Sequence, residues 1–136
     1  MFLETADIES STEDYATRFS GPVGEYFLNV QTEITLSCIS AEAGASILDV
    51  GGGHAQLAAP LVERNYQVTV TGSDESCRLL LDQRLEQGSF TFDVCDMLAL
   101  PYDNDSFDYV LAFRLLPHVE RWQQLLAEMC RVSRRG

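Results

Sequence analysis

The sequence predicts an α/β domain: a doubly wound parallel sheet preceded by N-terminal helices. Three observations point there. Ile47-Leu48-Asp49-Val50 sets three apolar residues and one acid directly before Gly51-Gly52-Gly53, and the pattern turns helical after Ala55. That reads as a buried strand, a turn without side chains and a helix start. Short β-branched or apolar runs recur at 67–72, 89–94 and 107–113 with helical stretches between them, the alternation that builds parallel strands joined by helical crossovers. Ahead of the first strand, 23–43 carries apolar residues at three- and four-residue steps, a helical period.

Taken in order, residues 1–12 are acidic and rich in Ser and Thr, and are expected to be frayed. Residues 13–45 form an N-terminal helical segment and 46–136 the core. Within the helical segment, Asp14–Phe19 is a short helix or turn that Ser20-Gly21-Pro22 breaks. Phe27, Val30, Ile34 and Cys38 then form the apolar face of a helix closed by Gly44. The helix after the glycines spans 55–65 with Pro60 inside it, so it either starts later or kinks there. Gln67–Gly72 is the second strand, 75–87 a helix closed by Gly88, and 89–94 the third strand. Residues 107–113 form a fourth strand apolar enough to be buried on both faces. The last helix begins at His118, with Val119, Trp122, Leu125, Leu126, Met129 and Val132 as its core stripe.

The triple glycine is a ligand platform. Without a Cβ, a ligand can lie against the backbone, and the free N–H groups at the start of the next helix add partial positive charge. The dinucleotide fingerprint G-x-G-x-x-G/A fails at its sixth position, Gln56. A phosphate-binding P-loop is excluded because the chain contains no lysine. About twenty residues on, Asp74 and Glu75 stand at the tip of the second strand. An acid there can accept from both hydroxyls of a ribose, or Asp74 can cap the following helix.

The acid-x-Gly-x-Gly run at Asp49–Gly53 resembles motif I of the class I S-adenosylmethionine-dependent methyltransferases. The segment Cys95-Asp96-Met97-Leu98-Ala99-Leu100-Pro101-Tyr102-Asp103-Asn104-Asp105-Ser106-Phe107-Asp108 is similar to the G-D-A-x-x-L-P-F-x-D-x-S-F-D segment of the same family. The resemblance implies a Rossmann-like sheet of order 3-2-1-4 and S-adenosylmethionine as cofactor. It places the methionine part on Asp49, Gly51, Gly52 and Gly53, the ribose on Asp74 beside Glu75, and the adenine on Asp96 and the backbone at Met97. Phe113 and Arg114 would lie near the sulfonium, Phe113 offering an aromatic face to a cation. Tyr15 and Arg18 would belong to a lid, with Arg18 meeting the cofactor carboxylate. His118 is a candidate general base. The family often has Thr-Gly where this chain has His54-Ala55. The resemblance covers about residues 15–135 but only the first half of the family's fold. Gly136 stands where the turn into a fifth strand would begin, so the chain reads as truncated, with its fourth strand at an edge.

Composition narrows the partners. Twenty-one acids against nine arginines give a net charge of −12, which repels phosphate backbones and argues against nucleic acid. The tail Arg131, Arg134, Arg135 reads as complementing the dipole of the last helix. Cys38, Cys77, Cys95 and Cys130 are widely spaced, which supports neither a metal site nor a disulfide framework. The chain shows no signal peptide and no run near 20 apolar residues, so a cytoplasmic protein without membrane contact is expected. The expected activity is methyl transfer from S-adenosylmethionine to a small molecule. The alternative is a truncated, non-catalytic binding or scaffold module, with a homodimer or partner chain covering the fourth-strand edge.

Overall fold

Four parallel strands, Ser46–Val50 (β1), Gln67–Gly72 (β2), Thr91–Val94 (β3) and Tyr109–Leu111 (β4), pair in the order β3-β2-β1-β4. The computed structural model describes residues 1–39 and 42–135. The fold class and strand order are those expected. In β1, Ile47 pairs with Val68 of β2 on one side and Tyr109 of β4 on the other. Successive side chains point to opposite faces, and two apolar clusters result. Leu48, Val50 and Val110 face Leu100, Leu125 and Val132, while Ile47, Val68 and Val70 face Leu61, Leu80 and Leu81.

Among the described residues six α-helices accompany the sheet: Asp7–Ser10 (α1), Glu13–Thr17 (α2), Gly21–Cys38 (α3), Ala58–Glu63 (α4), Leu79–Arg84 (α5) and Trp122–Val132 (α6). The boundaries shift from the sequence pattern for identifiable reasons. α4 starts three residues later than expected, so Pro60 is its third residue, where the missing N–H had no intrahelical acceptor in any case. The stretch 75–87 divides into a 3-10 turn, Glu75–Arg78, and α5. β3 and β4 are shorter than 89–94 and 107–113. His118 does not start α6; it ends a separate 3-10 turn, Leu116–His118.

Two helices present faces other than those expected. α3 presents Phe27, Ile34 and Cys38 outward and buries Gly24 and Thr35 instead. Its expected end at 43 is not reached, and Ser40 and Ala41 lie outside the described residues, as does Gly136. Of the α6 stripe, Val119, Leu125 and Val132 are core, but Trp122 and Leu126 are exposed. The arginine tail has specific partners. Arg131 donates to the Leu100 and Tyr102 carbonyls and pairs with Glu128, and Arg134 and Arg135 pair with Asp108. The Asp108 carboxylate accepts from the Ser46 N–H at 2.9 Å, which ties the start of β1 to β4 and holds its pKa below the usual range.

The N-terminus is not frayed. Glu4, Asp7 and Ser11 are buried. Glu4 Oε1 accepts from the Arg121 N–H at 2.9 Å, ahead of α6, and Asp7 reaches the tip of β2. No apolar periodicity marks this segment, because polar atoms anchor it. Pro60→Ala tests the α4 boundary: stability by urea unfolding should change by less than about 1 kcal/mol, whereas a mid-helix proline would yield a gain of about 3 kcal/mol.

Candidate active site

β1 ends in Asp49-Val50 and hands the chain to Gly51, whose φ of 68° lies in the left-handed region that glycine tolerates. The other two glycines answer to this chain's own atoms. A Cβ on Gly52 would sit 2.2 Å from Asp49 Oδ2, and one on Gly53 would sit 2.2 Å from Ser11 Oγ and 2.4 Å from the Cys77 carbonyl oxygen. Motif I thus brings its acid directly under its own loop. The loop, the tip of β2 and the residues after β4 share the C-terminal end of the parallel sheet, where open α/β sheets hold their ligands.

Asp49 is fully buried, and neither carboxylate oxygen has a hydrogen-bond partner. Burial raises its pKa from 3.8 to about 7, against the opposing pull of Arg114. Desolvation outweighs the attraction of the guanidinium, so near neutral pH the carboxyl is poised between its two forms. His54 is buried. Its Nδ1 accepts from the Gln56 N–H at 3.1 Å, which puts the proton of the neutral ring on Nε2. That atom has no partner. Burial and then the positive charge of Arg114 lower the His54 pKa to about 3.

Arg114 connects these groups to the N-terminal helices. Its φ of 53° is left-handed for a residue with a side chain, and the strain is tolerated because the guanidinium is held on several sides. Nε donates to the Tyr15 hydroxyl at 2.7 Å, Nη1 to Gln31 Oε1 and Nη2 to Gln56 Oε1. The guanidinium also lies 4.6 Å from the centroid of the Phe19 ring, within cation–π range. Gln31 Nε2 is a further buried polar atom without a partner.

The remaining expected site residues are less concentrated. Asp74 is exposed, and its carboxylate accepts from the Ser76 N–H at 2.9 Å; hydrogen bonding from the Ser76 side chain and then from its backbone lowers the Asp74 pKa. It caps the 3-10 turn, the alternative reading of that residue. Glu75 is exposed and pairs with Arg78 at 3.7 Å. Asp96 is half-buried and accepts from the Leu98 N–H, Met97 is core, and Phe113 packs against the Ile47 cluster. Arg18 pairs with Glu9 at 3.2 Å near the surface. A cavity of about 370 Å³ lies between the N-terminal segment and the residues after β4, lined by Glu4, Glu9, Tyr15, Arg18, Arg114 and His118. The sequence pattern missed Asp7, Ser11, Gln31 and Gln56. Asp7, Gln31 and Gln56 have partners far away in the chain, Ser11 meets the distant Gly53, and no local spacing marks any of them. Among the described residues, no group of three or more His, Cys, Asp or Glu side chains is placed to hold a metal, and no helix is long and apolar enough to cross a membrane.

Residues 48–136, from β1 onward, match the family model described as "Methyltransferase domain". The chain belongs to this family. It is 35% identical over 111 residues to methyltransferase GfsG of Streptomyces halstedii, covering 77% of this chain and 40% of that protein. It is 33% identical over 108 residues to a demethylmenaquinone methyltransferase of Shouchella clausii, covering 75% and 46%. The fold superposes with a TM-score of 0.71 on a putative S-adenosyl-L-methionine-dependent methyltransferase of Methanococcus maripaludis, at 12% identity, covering 96% of this chain and 60% of that one. The chain therefore spans less than half the length of the curated relatives it matches.

A pH series tests the burial of Asp49. Its folded pKa of about 7 lies above its unfolded value of 3.8, so the folded protein keeps a proton that the unfolded chain releases between them. The stabilisation is fully present below about pH 4 and is lost as pH rises through about 7. Above pH 6.5, where His54 no longer contributes, the parent should lose stability up to about pH 7, and Asp49→Asn, neutral throughout, should not. At pH 8 it should exceed the parent by a few kcal/mol, on the order of the shift itself. Identical profiles would place Asp49 in water. Both proteins should share a loss of stability below pH 6.5 from His54, whose folded pKa of about 3 lies below its unfolded value.

Proposed function

We propose that the chain binds S-adenosylmethionine at the C-terminal ends of β1, β2 and β4 and directs its methyl group to a small-molecule acceptor. The observation that carries this reading is Asp49, a buried carboxyl without a partner beneath a triple glycine, in a chain of the methyltransferase family. The residues present fit the cofactor. Asp49 offers two unused acceptor oxygens to an ammonium group, and His54 Nε2 and Gln31 Nε2 are unused donors on a network joined through Gln56 and Arg114. Asp74, with Glu75 beside it, would take the ribose hydroxyls, and Asp96 with the Met97 backbone the adenine. When bound, S-adenosylmethionine supplies an already activated methyl group.

The rest of the work left to the protein is alignment and exclusion of water. Arg114 holds Tyr15, Gln31 and Gln56 in one arrangement and so fixes the wall between the glycine loop and the N-terminal helices. Phe113 extends that wall. Tyr15 and Arg18 line the cavity in which the acceptor would sit, and His118, exposed on its rim, is the group placed to receive a proton there. A small acceptor is supported by the −12 charge of the chain and by relatives named as demethylmenaquinone methyltransferase and O-methyltransferase. A cytoplasmic setting agrees with the four free cysteines, and a second copy or partner chain would cover the β4 edge.

Calorimetric titration with S-adenosylhomocysteine tests the cofactor assignment. Saturable binding is expected, weakened at least about tenfold by Asp74→Ala through loss of a charge-assisted hydrogen-bond acceptor. Unchanged binding by the variant would leave Asp74 as a helix cap alone, and no binding by a folded chain would remove the cofactor assignment.

A further inference from the structure

The N-terminal segment lies in the ligand crevice. α1 and its C-cap residue Ser11 lie against both outer glycines of motif I. A Cβ on Gly51 would stand 3.2 Å from Asp7 Cβ, and one on Gly53 would stand 2.2 Å from Ser11 Oγ. From there the Asp7 carboxylate crosses to the tip of β2. Oδ2 accepts from the Ser73 N–H at 2.8 Å and Oδ1 from the Ser73 hydroxyl at 2.5 Å. Asp7 is 1% exposed. A ligand that rested on the glycine loop and reached the neighbouring Asp74 would have to cross the ground that Asp7 and Ser11 occupy.

The way the segment is held suits release. It is fastened chiefly by polar contacts: Asp7 on Ser73, and Glu4 on the Arg121 N–H. Apolar anchoring is slight. Met1 and Leu3 are exposed, and Ala6 is the segment's contribution to the packed cluster. α1 is a single turn of four residues, too short to persist off the surface that supports it. Water can replace each hydrogen bond when the segment leaves, and segments with few buried apolar contacts open at low cost.

We infer that residues 4–11 form an intramolecular plug that competes with S-adenosylmethionine for the motif I crevice, with Asp7 as its latch on Ser73. The inference rests on the cofactor assignment above and adds its regulation. The binding-competent form is the one with the plug withdrawn, so the apparent dissociation constant is the intrinsic one divided by the unplugged fraction.

The test pairs affinity with hydrogen exchange, using S-adenosylhomocysteine as the probe. For a plug seated nine-tenths of the time, deleting residues 1–11 tightens binding about tenfold. Asp7→Ala, which leaves the segment attached but unlatched, shifts affinity in the same direction by less. In the unaltered chain, saturating ligand should speed amide exchange across residues 4–11. That measurement decides the matter even where the shortened chain does not fold. Weaker binding after deletion, or slowed exchange on ligand addition, would make the segment a lid that closes over the ligand and overturn the plug. Equal affinity with unchanged exchange would overturn it too, while leaving the cofactor assignment standing. Absence of binding by every folded form would overturn both.

Discussion

The polar centre of this molecule is a carboxyl buried beneath three glycines, with the Arg114 guanidinium as its counter-charge. Removing Asp49 from water is unfavourable enough that its proton is retained to about pH 7 even beside a cation. The loop above must be glycine because the carboxylate occupies the space a Cβ at Gly52 would need. Other features follow from the same constraint. Arg114 must approach from the end of β4, which it does with a left-handed backbone, and its donors must find acceptors. They find Tyr15, Gln31 and Gln56, on three separate segments. Charge compensation at the site thereby also docks the N-terminal helices.

Those helices contribute little apolar burial of their own. α3 turns Phe27 and Ile34 outward, and α1 and α2 together span nine residues. The sheet core would close without them, since Leu48, Val50, Ile47 and Val70 pack against α4, α5 and α6. Stability is therefore distributed unevenly: an apolar sheet core below, and a polar superstructure above it at the mouth of the crevice. Elements fastened by hydrogen bonds over a rigid apolar base are the ones that open first, and here they stand over the residues of motif I.

The acidic surface and the interior arginine serve different ends. Most of the 21 acids are solvated and keep the chain away from other polyanions. Glu4, Asp7 and Asp49 are drawn inside, and each is tied to the crevice or its rim. Glu4 and Asp7 are satisfied by backbone or hydroxyl donors, whereas Asp49 is left without one. That contrast separates acids that complete the fold from the acid whose acceptor oxygens are unused.

By itself, the sequence pattern determined the parallel strands and the glycine loop at the end of β1, while the strand order came from the family resemblance. Buried parallel strands must be continuous apolar runs, and the turn must be free of side chains, so local pattern suffices. β2 is found at the residues its pattern predicts, and the Asp49 carboxyl lies against the Gly52 backbone. Only the tertiary structure decided the burial of the N-terminus, the inward turn of His54, the outward face of α3 and the Arg114 clamp. Asp7 meets a residue 66 positions away and Arg114 one 99 positions away. Contacts between single polar atoms at such separations leave no period in the chain. They exist because desolvated charges need partners, and which partners are within reach is settled once the sheet has brought distant segments to one edge.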